Sequence, residues 1–336
     1  MRAAVFVAPG QLEVRDVPRP VLQRPDEVIL AVKASGICGT DVHALEVPPA
    51  VAFWPGVTVG HEFSGEVVEA GAESGFAPGD RVTVLPQIPC YRCRRCRNGM
   101  VDRCQKMGVF GAYDRNGGDA EFVLAPAETL YRIPDSLPFD LAALAEPVSV
   151  VLSSTLRIQW HPGRSALIYG AGPIGLIFQL LAKGAGADPI FVVEPRETRA
   201  KLARELGATR VIDPTTENVA EIVAGLTPDG PDIVIDAVGT LLGDALEIVA
   251  TGGQIAVFGI AEQAKVEVRP FLILYKDLTI IGSQLAKNTF QLAVDLLAAN
   301  TLGFDRIITH RMPLEEANTA FDLLRKGEAV KAQLIP

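Results

Sequence analysis

From Ser165 onward, short apolar runs alternate with helical stretches, and few folds accept that order. The runs at 166–169, 190–194, 210–212, 233–238, 254–259 and 278–282 read as strands, with helices expected at 174–183 and 197–206 between the early ones. Six strands alternating with helices predict a doubly wound parallel sheet with both faces covered.

Gly170, Gly172 and Gly175 follow the first of these runs as G-x-G-x-x-G, with Pro173 and Ile174 opening the next helix. By itself this pattern is equally a Gly-rich turn with no ligand. Between a strand and a helix it predicts a dinucleotide loop, where glycines let backbone approach a pyrophosphate at the helix N-terminus. An acidic residue is expected about 20 residues further on to hold the ribose hydroxyls, and Glu194 ends the second run. Its carboxylate repels an adenosine 2′-phosphate, which favours NAD. Arg196 and Arg199 lie close by in sequence and would serve NADP if Glu194 turned away.

The first 135 or so residues read differently. Strand-like runs at 28–34, 63–70, 81–85 and 120–123 are separated by turns such as Pro78-Gly79-Asp80, the pattern of an all-β, barrel-like domain with long loops. The last 50 or so residues read as helical with a strand-like end at 332–335, and periodicity alone assigns them to neither half. A chain of 336 residues supports about two domains. Its formal net charge of -9 argues against a nucleic-acid partner. It has no apolar run of about 18 residues, so no membrane span is expected.

Cys90, Cys93, Cys96 and Cys104 stand as C-x2-C-x2-C-x7-C. Four thiolates in one turn-rich stretch close a tetrahedral Zn²⁺ shell; the competing reading is two disulfides in an exported protein. Residues 1–17 alternate like a strand and lack the apolar segment and cleavage site of a signal peptide. Reduced thiols, a cytoplasmic location and a structural zinc are therefore expected. Arg92, Arg94, Arg95, Arg97, Arg103 and Lys106 in the same stretch are expected to offset the negative charge of the cluster rather than to bind nucleic acid.

Cys38 stands apart, and Gly60-His61-Glu62 supplies the partners it needs. Thiolate, imidazole and carboxylate make a mixed shell with room for a further ligand, water or substrate. A core histidine beside a solvated glutamate is the blander reading of His61 alone.

Taken together, C-G-T-D-x-H at 38–43, G-H-E at 60–62, the tetracysteine cluster, E-P-x-S-V at 146–150 and the Gly-rich loop resemble the zinc-dependent medium-chain alcohol dehydrogenases. The resemblance covers nearly the whole chain. It implies a GroES-like barrel domain at 1–150 and 288–336, with a Rossmann domain at 151–287 inserted between the two parts. It implies Cys38, His61 and Glu62 as ligands of a catalytic zinc. Glu146 is a further carboxylate that some members use as a direct ligand and others only near a bound water. Asp41 is implied as the acid that orients the liganding histidine, and Thr40 and His43 as a proton relay to the surface through the cofactor ribose. The implied chemistry is hydride transfer from a zinc-activated alcohol to a nicotinamide in an interdomain cleft that keeps water out, with two zinc ions per chain and a homodimer or homotetramer as the assembly.

Glu62 and Glu146 resemble the polyol enzymes of the sorbitol dehydrogenase type more than the primary-alcohol enzymes. The Arg-Tyr pair such sequences carry before Asn-Thr is replaced here by Leu285-Ala286-Lys287 ahead of Asn288-Thr289. The pocket therefore differs from that of sorbitol dehydrogenase, and a polyol, sugar alcohol, cyclitol, amino alcohol or simple secondary alcohol fits the reading. The competing functions are an NADP-dependent alcohol dehydrogenase, a zinc-free quinone or enoyl reductase, which has no use for Cys38, His61 and Glu62 together, and a non-catalytic NAD- and zinc-binding interaction protein.

Overall fold

The structure, a computed structural model, describes residues 1–113 and 115–336. The chain divides into two compact units: residues 1–149, 287–301 and 308–336 form one, and residues 150–286 with 302–307 form the other. The short segment 302–307 thus groups with the second unit, whereas the family resemblance placed it in the first.

The second unit is built on a six-stranded, all-parallel sheet in the order Arg210–Ile212, Ile190–Val193, Ala166–Tyr169, Ile233–Asp236, Gln254–Val257, Thr279–Gly282. Its central strands are buried along their whole length, as apolar runs without alternation predict for a sheet covered on both faces. Leu167, Phe191, Val193, Val234, Leu246 and Ile255 pack in its core. The order reverses beside Ala166–Tyr169, and in such sheets that reversal opens a ligand crevice at the carboxyl ends of the strands.

In the first unit a seven-stranded sheet has the order Ile308–Pro313, Lys331–Ile335, Glu27–Gly36, Glu62–Ala70, Arg81–Val84, Leu130–Arg132, with the seventh strand, Phe122–Pro126, off this path and paired to Glu27–Gly36. Two apolar clusters fill it, one around Phe6, Ile37, Phe53, Phe321 and Leu334, the other around Leu30, Phe63, Val82, Phe110 and Val123. Helix Ala317–Lys326 buries Ala317, Ala320 and Phe321, spaced three and four apart on one face. Two local expectations are corrected. Residues 1–17 form a hairpin, Arg2–Ala8 paired with Gln11–Asp16, because Pro9-Gly10 turns the chain. The tail holds a second strand, Ile308–Pro313, parallel to Lys331–Ile335. Among the described residues no helix is long and apolar enough to cross a membrane.

Candidate active site and metal centres

Helix Gly39–Ala44 starts directly after Cys38. Asp41, its third residue, turns back so that Oδ2 accepts the Cys38 N–H at 2.9 Å, the return contact of a capping box. The same carboxylate places Oδ1 3.3 Å from Nδ1 of His61, within ion-pair distance, the side from which a carboxylate orients a liganding histidine, and Cys38 meets the same imidazole. His61 and Glu62 are delivered at the start of strand Glu62–Ala70, after Gly60. Only glycine fits there: φ is +93°, and a Cβ would lie 2.2 Å from Oδ1 of Asp119.

One ligand atom each from Cys38, His61 and Glu62 lies within 4.8 Å of the others. Burial disfavours the imidazolium of His61, but the charges of Asp41 and Cys38 outweigh it and hold the pKa well above the ordinary value in the metal-free protein. Glu146, in helix Ala145–Thr155, stands outside that three-residue set. Its carboxyl is pushed up to about 7 by burial and then by the charge of Glu62, so it belongs to the same electrostatic neighbourhood. Thr40 Oγ1 lies 3.6 Å from Cys38 Sγ. His43, on the same helix, is exposed and meets Glu46.

Two further residues were not found in the sequence. Lys331 is fully buried, and its Nζ donates to Glu62 Oε2 and, at 2.9 Å, to the carbonyl of Ile37. Burial works against its charge, but Glu62 and Cys38 overcome that and raise the pKa. A lysine at the start of an apolar terminal run reads as a solvated strand end, so nothing flagged it. Asp119 is also fully buried; Oδ1 accepts the Ser35 hydroxyl at 2.5 Å, and Oδ2 has no hydrogen-bond partner. Burial, followed by the charge of Asp41, pushes its carboxyl up to about 7. Its position after Gly117-Gly118 gave it the look of a loop residue.

Cys90, Cys93, Cys96 and Cys104 converge, with their sulfurs within 4.8 Å of one another, and all are free thiols. Cys93 and Cys96 Sγ atoms stand 3.4 Å apart, far beyond a disulfide bond. Backbone N–H groups of Cys90 and Lys106 donate to Cys104 Sγ at 3.2 and 3.3 Å, and that of Cys96 to Cys93 Sγ at 3.5 Å. Such donors stabilise thiolate, and hydrogen bonds led by that from Cys96 lower Cys93 to about 6. Part of the charge compensation expected of the arginines thus comes from the backbone. Four converging sulfurs with amide donors suit a tetrahedral zinc.

In the second unit, Gly172 caps helix Pro173–Gly184, with proline at the first position and no side-chain cap, so the first amides of the helix are open to an anion. Gly175 has to be glycine, because a Cβ there would lie 1.9 Å from the Gly170 carbonyl oxygen. Glu194 is buried, accepting the Ala171 N–H at 2.8 Å and the Arg196 N–H at 2.9 Å. The Arg199 guanidinium lies over the loop, with Nη1 3.9 Å from the position a Gly172 Cβ would take and Nε without a partner. Arg196 itself is exposed. The loop, Glu194 and Arg199 therefore converge at the start of helix Pro173–Gly184.

A thiolate, imidazole and carboxylate shell carried in one chain with a doubly wound nucleotide-binding sheet defines a zinc-dependent, nicotinamide-linked oxidoreductase. Residues 24–135 match the alcohol dehydrogenase GroES-like domain and residues 173–299 match the zinc-binding dehydrogenase domain. The L-threonine 3-dehydrogenase of Pyrococcus horikoshii is 35% identical over 350 residues, covering 98% of this chain and 97% of the relative. The sorbitol dehydrogenase of Bombyx mori is 31% identical, with 98% and 97% covered. A protein described as a zinc-binding dehydrogenase, from Sinorhizobium meliloti 1021 and solved with NADP, superposes with a TM-score of 0.93 at 35% identity over 100% of this chain and 99% of that one. The chain belongs to the zinc-dependent medium-chain alcohol dehydrogenase family.

Proposed function

We propose that this chain oxidises a secondary alcohol of the polyol, sugar alcohol, cyclitol or amino alcohol class, with NAD preferred to NADP as hydride acceptor. The convergence of Cys38, His61 and Glu62 within 4.8 Å, separate from the tetracysteine cluster, carries the reading. The names of the relatives support the substrate class, since L-threonine 3-dehydrogenase and sorbitol dehydrogenase both point to secondary hydroxyls.

Cys38, His61 and Glu62 would hold one zinc, with Glu146 beside its open position, and Cys90, Cys93, Cys96 and Cys104 would hold the other. Zinc held at the first site would supply a Lewis acid for an alcohol, and a bound nicotinamide would supply the hydride acceptor. Asp41 orients His61. Thr40 takes the hydroxyl proton, and His43, exposed on the same helix, delivers it to solvent. Gly170, Gly172, Pro173, Ile174 and Gly175 cradle the pyrophosphate, Glu194 receives the ribose hydroxyls, and Arg199 offers a cation to the phosphates. The division of labour follows the two units, with the metal sites in 1–149, 287–301 and 308–336 and the nucleotide loop in 150–286 with 302–307.

An assembly of two or four copies is supported by the edge strand Thr279–Gly282, where Ile280 is exposed, and by helix Pro270–Tyr275, which exposes Phe271, Leu274 and Tyr275. Five free cysteines support a reducing, cytoplasmic setting. The test is a screen of polyols, amino alcohols and secondary alcohols with NAD or NADP, read as absorbance of the reduced nucleotide. Turnover lost on chelation and regained with zinc is expected. A zinc-replete protein with no turnover on any of them would be a binding protein instead.

A further inference from the structure

The helix that begins at Cys38 continues as a tighter turn: Leu45 N–H donates to the Val42 carbonyl at 3.1 Å and Glu46 N–H to that of His43 at 3.3 Å. In such i to i+3 bonding, side chains three apart lie one above the other. Thr40, His43 and Glu46 are spaced by three along a row: Thr40, beside Cys38 Sγ, precedes His43 within the α-helix, and Glu46 stacks on His43 across the tighter turn that follows. Within that row His43 Nδ1 stands 2.8 Å from Oε1 of Glu46, with both side chains 44% exposed. The His43 carbonyl also accepts the Ala50 N–H at 3.1 Å, which ties the following loop to the turn.

An exposed pair of this kind adds little to stability. Its geometry matters more, because an ionised carboxylate only accepts hydrogen bonds. Glu46 therefore selects the form of neutral His43 that carries hydrogen on Nδ1, leaving the Nε2 lone pair as the proton acceptor. We propose that Glu46 is a positioning residue for the proton relay, fixing the tautomer and ring orientation of His43 so that Nε2 receives the proton passed on from Thr40. The proposal rests on the relay assigned above to Thr40 and His43.

The test uses the zinc-loaded, full-length protein. Nitrogen-15 spectra of the imidazoles, with His43→Ala to identify the resonances of His43 among the four histidines, report the tautomer directly. Wild type should carry hydrogen on Nδ1. Glu46→Ala should shift His43 toward Nε2–H, and Glu46→Gln should keep the wild-type form because its amide oxygen accepts the same N–H. In parallel, kcat for alcohol oxidation should fall about three- to tenfold in Glu46→Ala, with zinc content unchanged, and stay within about twofold of wild type in Glu46→Gln. An unchanged tautomer in Glu46→Ala, or a changed tautomer with unchanged kcat, overturns the proposal. A wild-type kcat in His43→Ala together with the tautomer shift would place the failure in the relay and not in the Glu46 contact.

Discussion

Lys331 and Glu62 meet with each side chain only 2% exposed, and removing one member of such a pair costs about 3–5 kcal/mol because a bare charge stays behind. Lys331→Met should therefore destabilise the metal-free protein by an amount of that order, and saturating zinc should recover part of it by meeting the Glu62 carboxylate. Urea unfolding with and without zinc measures both; an equal loss in the two conditions would mean that Lys331 serves packing alone. Asp119 makes a prediction of opposite sign. Burial, then the charge of Asp41, raises it from an ordinary 3.8 to about 7, so between these values the folded chain keeps a proton that the unfolded chain has released. Its contribution to stability thus falls as pH rises through that window, and the full penalty is present above about 7. Asp119→Asn should remove this slope and gain stability relative to wild type at pH 8 compared with pH 4, by a few kcal/mol at most. Parallel stability curves for the two proteins would show that Asp119 titrates normally.

Among elements, the Gly-rich turn and Glu194, which follows strand Ile190–Val193, carry the proposed cofactor preference. Both oxygens of Glu194 already accept backbone N–H groups, so the carboxylate is fixed in place and cannot easily swing aside for a 2′-phosphate. Glu194→Ala should shift the ratio of kcat/KM values toward NADP by about 10- to 100-fold, since one charged contact is worth about 1.5–3 kcal/mol. An unchanged ratio would move discrimination to another residue. The turn was legible because its glycines answer to local sterics, and so were the strands of the parallel sheet, whose unbroken apolar runs have few alternative readings. The hairpin at Pro9-Gly10 was lost because alternation runs through both of its arms. Strand Ile308–Pro313 was lost because its pattern is half-exposed and a helix, Ala317–Lys326, separates it from its parallel partner Lys331–Ile335. Cys38, His61 and Glu62 could be picked out because few residue types bind zinc, whereas Lys331 and Asp119 acquire meaning only from neighbours that the fold brings to them.

For the molecule as a whole, two ligand sets without a shared residue predict two zinc ions per chain, counted by elemental measurement, with the open site emptied by mild chelation and the closed one retained. Cys90→Ser should lower the thermal midpoint before it touches kcat, because a closed thiolate site contributes folding free energy; Cys38→Ser should do the reverse. A normally folded but inactive Cys90→Ser protein would exchange those roles. In the chain, Lys331 follows Glu62 by 269 residues, and it is carried in by a strand paired with Glu27–Gly36. A ribosome therefore presents Cys38, His61 and Glu62 to the cell well before the ammonium that balances them has been made. During that interval the Glu62 carboxylate lacks the cation that meets it in the folded chain, so the last strand to be made completes the charge balance of the first part of the chain.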